Sequence, residues 1–241
     1  MKKLIAAAVC LMLLVMPVMA HGSGWDGLFG VLFGECFDEP VRKEASTMSM
    51  ETAVKALHDA GLEVEWDLIR KLPEPPETVL DVLIWLGLGE CDPDTLEITP
   101  VSHVVYAFDA EVFDVEHMYT AFLNGIRMIV PDVEITDIQE DLSGITPEMD
   151  FSKEIPTDGK RSFSFVCNGT PYALELDSLG DWFHDDAIRF VQDVLRKENC
   201  PKRLCVIDVM AIQGCVMFYA DEETISNVLE LLGVQEGETV F

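Results

Sequence analysis

The chain has 241 residues, with 16 Lys and Arg against 44 Asp and Glu, for a formal charge of −28. This balance argues against nucleic acid as a partner, because nothing here neutralises a row of phosphates, and it argues against docking on anionic lipid. Apolar residues make up 49% of the chain, enough for a sizeable core, so a disordered acidic tail is excluded.

The first stretch reads as a signal peptide. Lys2 and Lys3 precede an unbroken apolar run from Leu4 to Met16, Pro17 breaks it, and Val18-Met19-Ala20 ends in a small residue that signal peptidase accepts. The run is shorter than the roughly 20 residues a membrane span needs. Cleavage is therefore expected after Ala20, giving an exported protein, and the short Lys-Lys start is of a bacterial kind. No later segment is expected to span a membrane, since the most apolar one, Val79 to Leu88, is interrupted by Asp81 and Gly87.

Residues 21–45 form a glycine- and aromatic-rich arm, with Trp25, Leu28, Phe29, Leu32 and Phe33 at helical spacing. Residues 46–100 read as a helical section. Ser49 is placed to cap a first helix carrying Met50, Ala53, Val54 and Leu57 on one face and stopped by Gly61. Trp66 to Leu72 and Glu77 to Leu86 follow as helices, separated by Pro73-Glu74-Pro75-Pro76, and Asp92-Pro93-Asp94-Thr95 has the chemistry of a turn.

From Val101 the period changes, and residues 101–241 read as an α+β domain, with a subdivision at 139–159 left open. Val101 to Phe108 and Val133 to Ile138 are expected strands flanking a helix that Asp114 caps, with Met118, Phe122, Leu123 and Ile126 inward. Arg161 to Cys167 and Pro171 to Leu176 alternate around Asn168-Gly169, a strong hairpin signal. A helix from Asp185 to Lys197 follows. Leu204 to Val209 and Cys215 to Tyr219 make a second hairpin around Ile212-Gln213-Gly214, and Asp221 caps a closing helix, Glu222 to Leu232. The order βαβ, then ββαββα, predicts a mainly antiparallel sheet packed against helices.

Six cysteines remain once Cys10 leaves with the signal peptide. Cys167, Cys205 and Cys215 sit inside apolar strand-like runs and read as small buried hydrophobes; Cys36, Cys91 and Cys200 lie at segment ends and are the disulfide candidates. No C-x-x-C occurs, so a structural zinc site is not expected.

Signatures of catalysis are missing: there is no G-x-S-x-G, H-E-x-x-H, phosphate loop or G-x-G-x-x-G. Metal binding has two weak candidate sources. A mature chain starting at His21 offers an α-amine and a ring nitrogen, and over His21-Gly22 alone it resembles exported copper proteins of the lytic polysaccharide monooxygenase kind. Asp92, Asp94 and Glu97 supply oxygens of the type calcium takes, but Leu96 stands where a calcium loop favours glycine or a polar residue. An unligated terminal His and a solvated Asp-Pro turn are the expected outcomes. Asn168-Gly169-Thr170 matches a glycosylation acceptor and reads more simply as a tight turn.

Trp182-Phe183-His184-Asp185-Asp186 is the most unusual local cluster. Trp182 and Phe183 read either as core residues at a helix start or as anchors of a recognition surface with His184 as its polar contact. The expectation is an exported acidic binding protein without a catalytic centre of its own, needing no cofactor, whose partner is a protein or a cationic ligand. Two alternatives stay open: a carboxylate-dependent hydrolase of cell-wall or polysaccharide material, and a metal-binding exported protein. Two carboxyls converging in an apolar cleft would favour the hydrolase, and a flat acidic face would favour binding.

Overall fold

In the computed structural model, which describes residues 49–70, 76, 78–91, 98–112, 114–144 and 159–234, the alternating runs form two separate three-stranded antiparallel sheets. The elements are α1 (Met50–Asp59), α2 (Trp66–Ile69), α3 (Val79–Leu88), β1 (Glu90–Cys91), β2 (Ile98–Thr99), β3 (Val105–Asp109), α4 (Met118–Ile129), β4 (Ile135–Asp141), β5 (Lys160–Cys167), β6 (Thr170–Asp177), α5 (Asp186–Lys197), β7 (Arg203–Val209), β8 (Gly214–Ala220) and α6 (Glu222–Leu232). The α+β class holds. Among the described residues no helix is long and apolar enough to cross a membrane.

The first sheet has the order β3-β8-β7. β8 is buried at every residue, because both faces of this sheet are covered. On one face Val105, Ala107, Ile207, Val216 and Phe218 meet the apolar sides of α1, α3 and α6, through Val54, Leu57, Leu83, Leu86 and Val228. On the other, Tyr106, Val206, Cys215 and Met217 share a core with α4, α5 and the inner face of the second sheet, order β4-β5-β6. Two glycines set the approach of the helices to β3. A Cβ at Gly87 of α3 would stand 2.6 Å from the Ala107 amide nitrogen, and one at Gly125 of α4 would stand 2.3 Å from the Tyr106 ring.

Local chemistry accounts for the boundaries. Ser49 and Asp221 accept the amides of Thr52 and Thr224 as helix caps, and Thr78 with Asp81 forms a capping box at α3. At the first hairpin Asn168 and Gly169 have φ of +48° and +81°, the left-handed pair a two-residue turn of the primed type requires. Several expected boundaries shift, the helix expected over Glu77 to Leu86 running Val79–Leu88 among them. The strand expected from Val101 starts at Val105, because the buried Ser102 hydroxyl accepts the Val104 and Val105 amides and donates to Glu65, folding this stretch into a turn. The helix expected from Asp114 begins as a 3₁₀ turn, Val115–His117, before α4. β4 runs to Asp141, past the expected end at Ile138, through an irregularity where Asp137 has φ of +50° and the register shifts between Thr136 and Gln139.

The buried polar centre of the second core is Arg161. Its alternation with Phe163, Phe165 and Cys167 puts it on the inner face of β5. Its guanidinium Nη2 donates to the Glu140 carboxylate at 2.9 Å and to the Val115 carbonyl at 2.8 Å, and it lies 4.7 Å over the Tyr119 ring. The other Glu140 oxygen accepts the Thr120 amide in the first turn of α4. One ion pair thus fastens the start of α4 to two strands of the second sheet.

Candidate binding site

Three loops meet at one end of the first sheet. β3 leaves the sheet at Asp109, opposite Gly214, and β7 turns into β8 through a 3₁₀ turn at Met210–Ile212. Gly214 is required there: a Cβ on it would stand 1.9 Å from the Phe108 carbonyl oxygen. Ala110 donates its amide to the Gln213 carbonyl, tying the first loop to this turn. The third loop, between β6 and α5, is laced onto the first: Phe183 donates to the Ala110 carbonyl at 2.8 Å, Val112 donates to Asp181 at 2.7 Å, and Glu111 and Trp182 form an isolated bridge.

The Trp182 to Asp186 cluster divides its labour. Phe183 is buried, with its ring 4.7 Å from that of Phe108, 5.0 Å from Phe122 and 5.1 Å from Tyr119, so it pins the loop to the core. Trp182 turns the other way and is 43% exposed. The half-buried His184 ring accepts the Asp186 amide through Nδ1 and so finishes the first turn of α5, while the Asp186 carboxylate accepts from Arg189 at 2.8 Å. The five side chains do not share one reactive point.

Between the loops lies a cleft of about 110 Å³. Phe108, Phe183, Ile188, Val206 and Cys215 supply its apolar walls, Ala110 and Gly214 its narrow side, and the exposed Asp185 and Asp208 its acidic mouth. These walls come from four elements, β3, α5, β7 and β8, and from the loop before α5, which is why no local motif marks the cleft. The only sequence signal was the aromatic Trp182-Phe183 pair beside a run of acids. Burial, with the Asp208 and Asp185 charges adding to it, pushes the Cys215 thiol far up, so it stays protonated and unreactive. Burial also raises the Asp109 carboxyl, whose Oδ1 accepts the Glu111 amide at 2.9 Å.

Around this mouth the surface is apolar and acidic at once. Met210 is 74% exposed and Leu179 44%, and with Trp182 they put three of the four exposed large apolar side chains among the described residues on these loops. Residues 109–112, 178–186 and 208–213 carry Asp109, Glu111, Asp181, Asp185, Asp186 and Asp208 and contain no Lys or Arg. A second depression, about 260 Å³, lies on the outer face of the second sheet. Of its lining residues, Phe165 and Tyr172 send their rings into the core, so the depression is a groove of the pleat between small side chains such as Ser164 and Ala173.

Among the described residues no group of three or more His, Cys, Asp or Glu is placed to hold a metal ion. His21, Cys36, Asp92, Asp94 and Glu97 lie outside the described residues, as does the side chain of Cys91. Cys167, Cys200, Cys205 and Cys215 carry free thiols; Cys200 is half-buried beside the Tyr219 hydroxyl. Compared with protein-family models, curated proteins and solved structures, the chain matches none.

Proposed function

We propose that this chain is an exported acidic binding protein that captures a positively charged partner at the loop-bearing end of its first sheet. The observation that carries the reading is the coincidence, on these three loops, of an apolar cleft, exposed Trp182, Met210 and Leu179, and six acids, of which Asp186 alone is paired with a nearby Arg189. Apolar anchors supply contact area and the acids supply orientation and on-rate toward a basic surface. Export follows from the reading of residues 1–20 as a signal peptide.

The test is a calorimetric titration with a basic peptide, comparing wild type, D185N/D208N and the control E175Q on the exposed side of β6. The reading expects weakened binding in D185N/D208N alone, and weaker binding at high salt. Equal binding by all three proteins would reduce the interaction to the diffuse field of a −28 chain and overturn the proposal.

A second reading has one observation behind it: Asp185 and Asp208 both line one apolar cleft, the arrangement expected of a carboxylate-dependent hydrolase. Size weighs against it. Small-molecule sites measure about 300 to 1,000 Å³, and this cleft of about 110 Å³ is smaller than that range. Turnover of a polysaccharide that D208N abolishes would restore it.

A further inference from the structure

We infer that the cleft receives one branched aliphatic side chain of a basic polypeptide segment, with a neighbouring Lys or Arg of that segment paired to Asp185 and Asp208. This inference rests on the binding reading above and names the part of the partner that is read.

Volume and wall chemistry set the side chain. A dry cavity of about 150 Å³ lined by Leu, Ile and Phe accommodates benzene. The present cleft, about 110 Å³ and walled by Phe108, Phe183, Ile188, Val206 and Cys215, fits an isobutyl or sec-butyl group and not an indole. Its polar lining side chains are few: Gln213 from the turn before β8, the Cys215 thiol, which burial keeps protonated, and the two exposed carboxylates. Asp185 caps α5 without using its side chain to do so. Its carboxylate therefore projects from the first turn with no backbone amide to satisfy, and Asp208 lies across the same opening.

Charge sets the rest of the segment. A cationic group adjacent to the inserted side chain meets two carboxylates at the mouth and a surface that repels acidic chains. A second copy of this protein, at −28, is a poor occupant on that ground. The chain's own residues 21–45 are net acidic too, with Asp26, Glu35, Asp38, Glu39 and Glu44 against Arg42 and Lys43; should Val41 beside those two cations occupy the cleft, removing residues 21–45 would tighten Lys-Leu-Lys binding, a result that would overturn the inference of a separate partner. Trp182 and Met210, exposed on either loop, extend the apolar contact beyond the cleft.

The experiment uses two capped peptides of equal charge, Lys-Leu-Lys and Lys-Gly-Lys, titrated into the full mature chain. Burying the leucine side chain is expected to tighten binding about 30-fold over the glycine peptide. A110L, which adds a side chain at a half-buried position of the cleft lining, is expected to erase that ratio. Because the readout is the ratio within one protein, partial loss of folded protein in the variant does not imitate it. D208N is expected to weaken both peptides alike. A ratio near one in wild type overturns the inference while leaving the binding proposal standing, and a Lys-Trp-Lys peptide binding tighter than Lys-Leu-Lys does the same. Binding of neither peptide overturns both. Dimerisation in light scattering that A110L abolishes assigns the cleft to a second copy and overturns the inference.

Discussion

Removing the Glu140 carboxylate leaves the Arg161 guanidinium buried without a counter-charge, and this is the perturbation the fold should feel most. The two side chains are 5% and 2% exposed, so water cannot replace the lost partner. E140A deletes the 2.9 Å bond from Arg161 and the acceptor of the Thr120 amide, while Arg161 keeps the Val115 carbonyl, the Met118 sulfur and the Tyr119 ring. Breaking one side of a buried pair costs about 3 to 5 kcal/mol. With a urea slope of about 2 kcal/mol/M, the midpoint should fall by about 2 M. E140Q keeps an acceptor oxygen for one of the two donors and turns its NH2 toward the other while losing the charge, so it should fall between wild type and E140A. E140L/R161M removes both charges, replaces them by apolar volume, and should recover most of the loss. A double-mutant cycle closed with the single variants E140L and R161M then reads a coupling of at least about 2 kcal/mol. Additive single costs, or an E140A loss below about 1 kcal/mol, would refute the claim that this pair is a desolvated unit.

Three further outcomes follow from the packing and the titrating groups. G87A should destabilise by about 1 to 3 kcal/mol, measured by urea unfolding, because its methyl would stand 2.7 Å from the Ala107 Cβ and force α3 off β3; an unchanged midpoint would contradict that close approach. The Asp114 carboxylate hydrogen-bonds the His117 ring and raises its pKa above the ordinary 6.5. The small stabilisation from this exposed pair is therefore complete below pH 6.5 and is lost as pH rises through the raised value. NMR titration of His117 should show the higher midpoint, with D114N lowering it toward the ordinary one. Unfolded without reduction, the protein should show at least four reactive thiols, from Cys167, Cys200, Cys205 and Cys215. In the folded state at pH 8, Cys205, pushed up to about 12 by burial, should label slowly; a count below four would place a disulfide among these residues.

Local elements were legible because their signals are local. Asp221 before Glu222–Leu232, Asn168-Gly169 between two alternating runs, and the stripe Met118, Phe122, Leu123, Ile126 each carry their geometry within a few residues. Partnership between distant strands carries no such signal. β3 and β4 flank one helix in sequence yet belong to different sheets, and β3 pairs with β8, about a hundred residues later. What separates them physically is that β8, apolar at nearly every position, needs cover on both faces, and only an arrangement with helices on each side supplies it. The cleft inherits this non-locality: Phe108, Phe183, Val206 and Cys215 meet only once β3, β7, β8 and the loop before α5 are assembled.

The acids around the cleft also bear on whether a surface exposing Trp182, Met210 and Leu179 associates with its own copies. Exposed apolar patches invite association, and here the same loops hold six carboxylates, whose charge opposes a second acidic copy and, on the reading proposed above, favours a basic segment. The two effects have opposite responses to salt. Raising ionic strength shortens the reach of the field from about 10 Å at 0.1 M to about 3 Å at 1 M, so it should weaken binding of Lys-Leu-Lys while promoting weak self-association of the free protein. Sedimentation velocity at 0.1 M and 1 M salt separates the cases. An increase in the wild-type sedimentation coefficient that W182A abolishes places the contact on this end of the sheet. Growth that W182A leaves untouched would mean that another face associates, and that the acids at the cleft do not serve to keep copies apart.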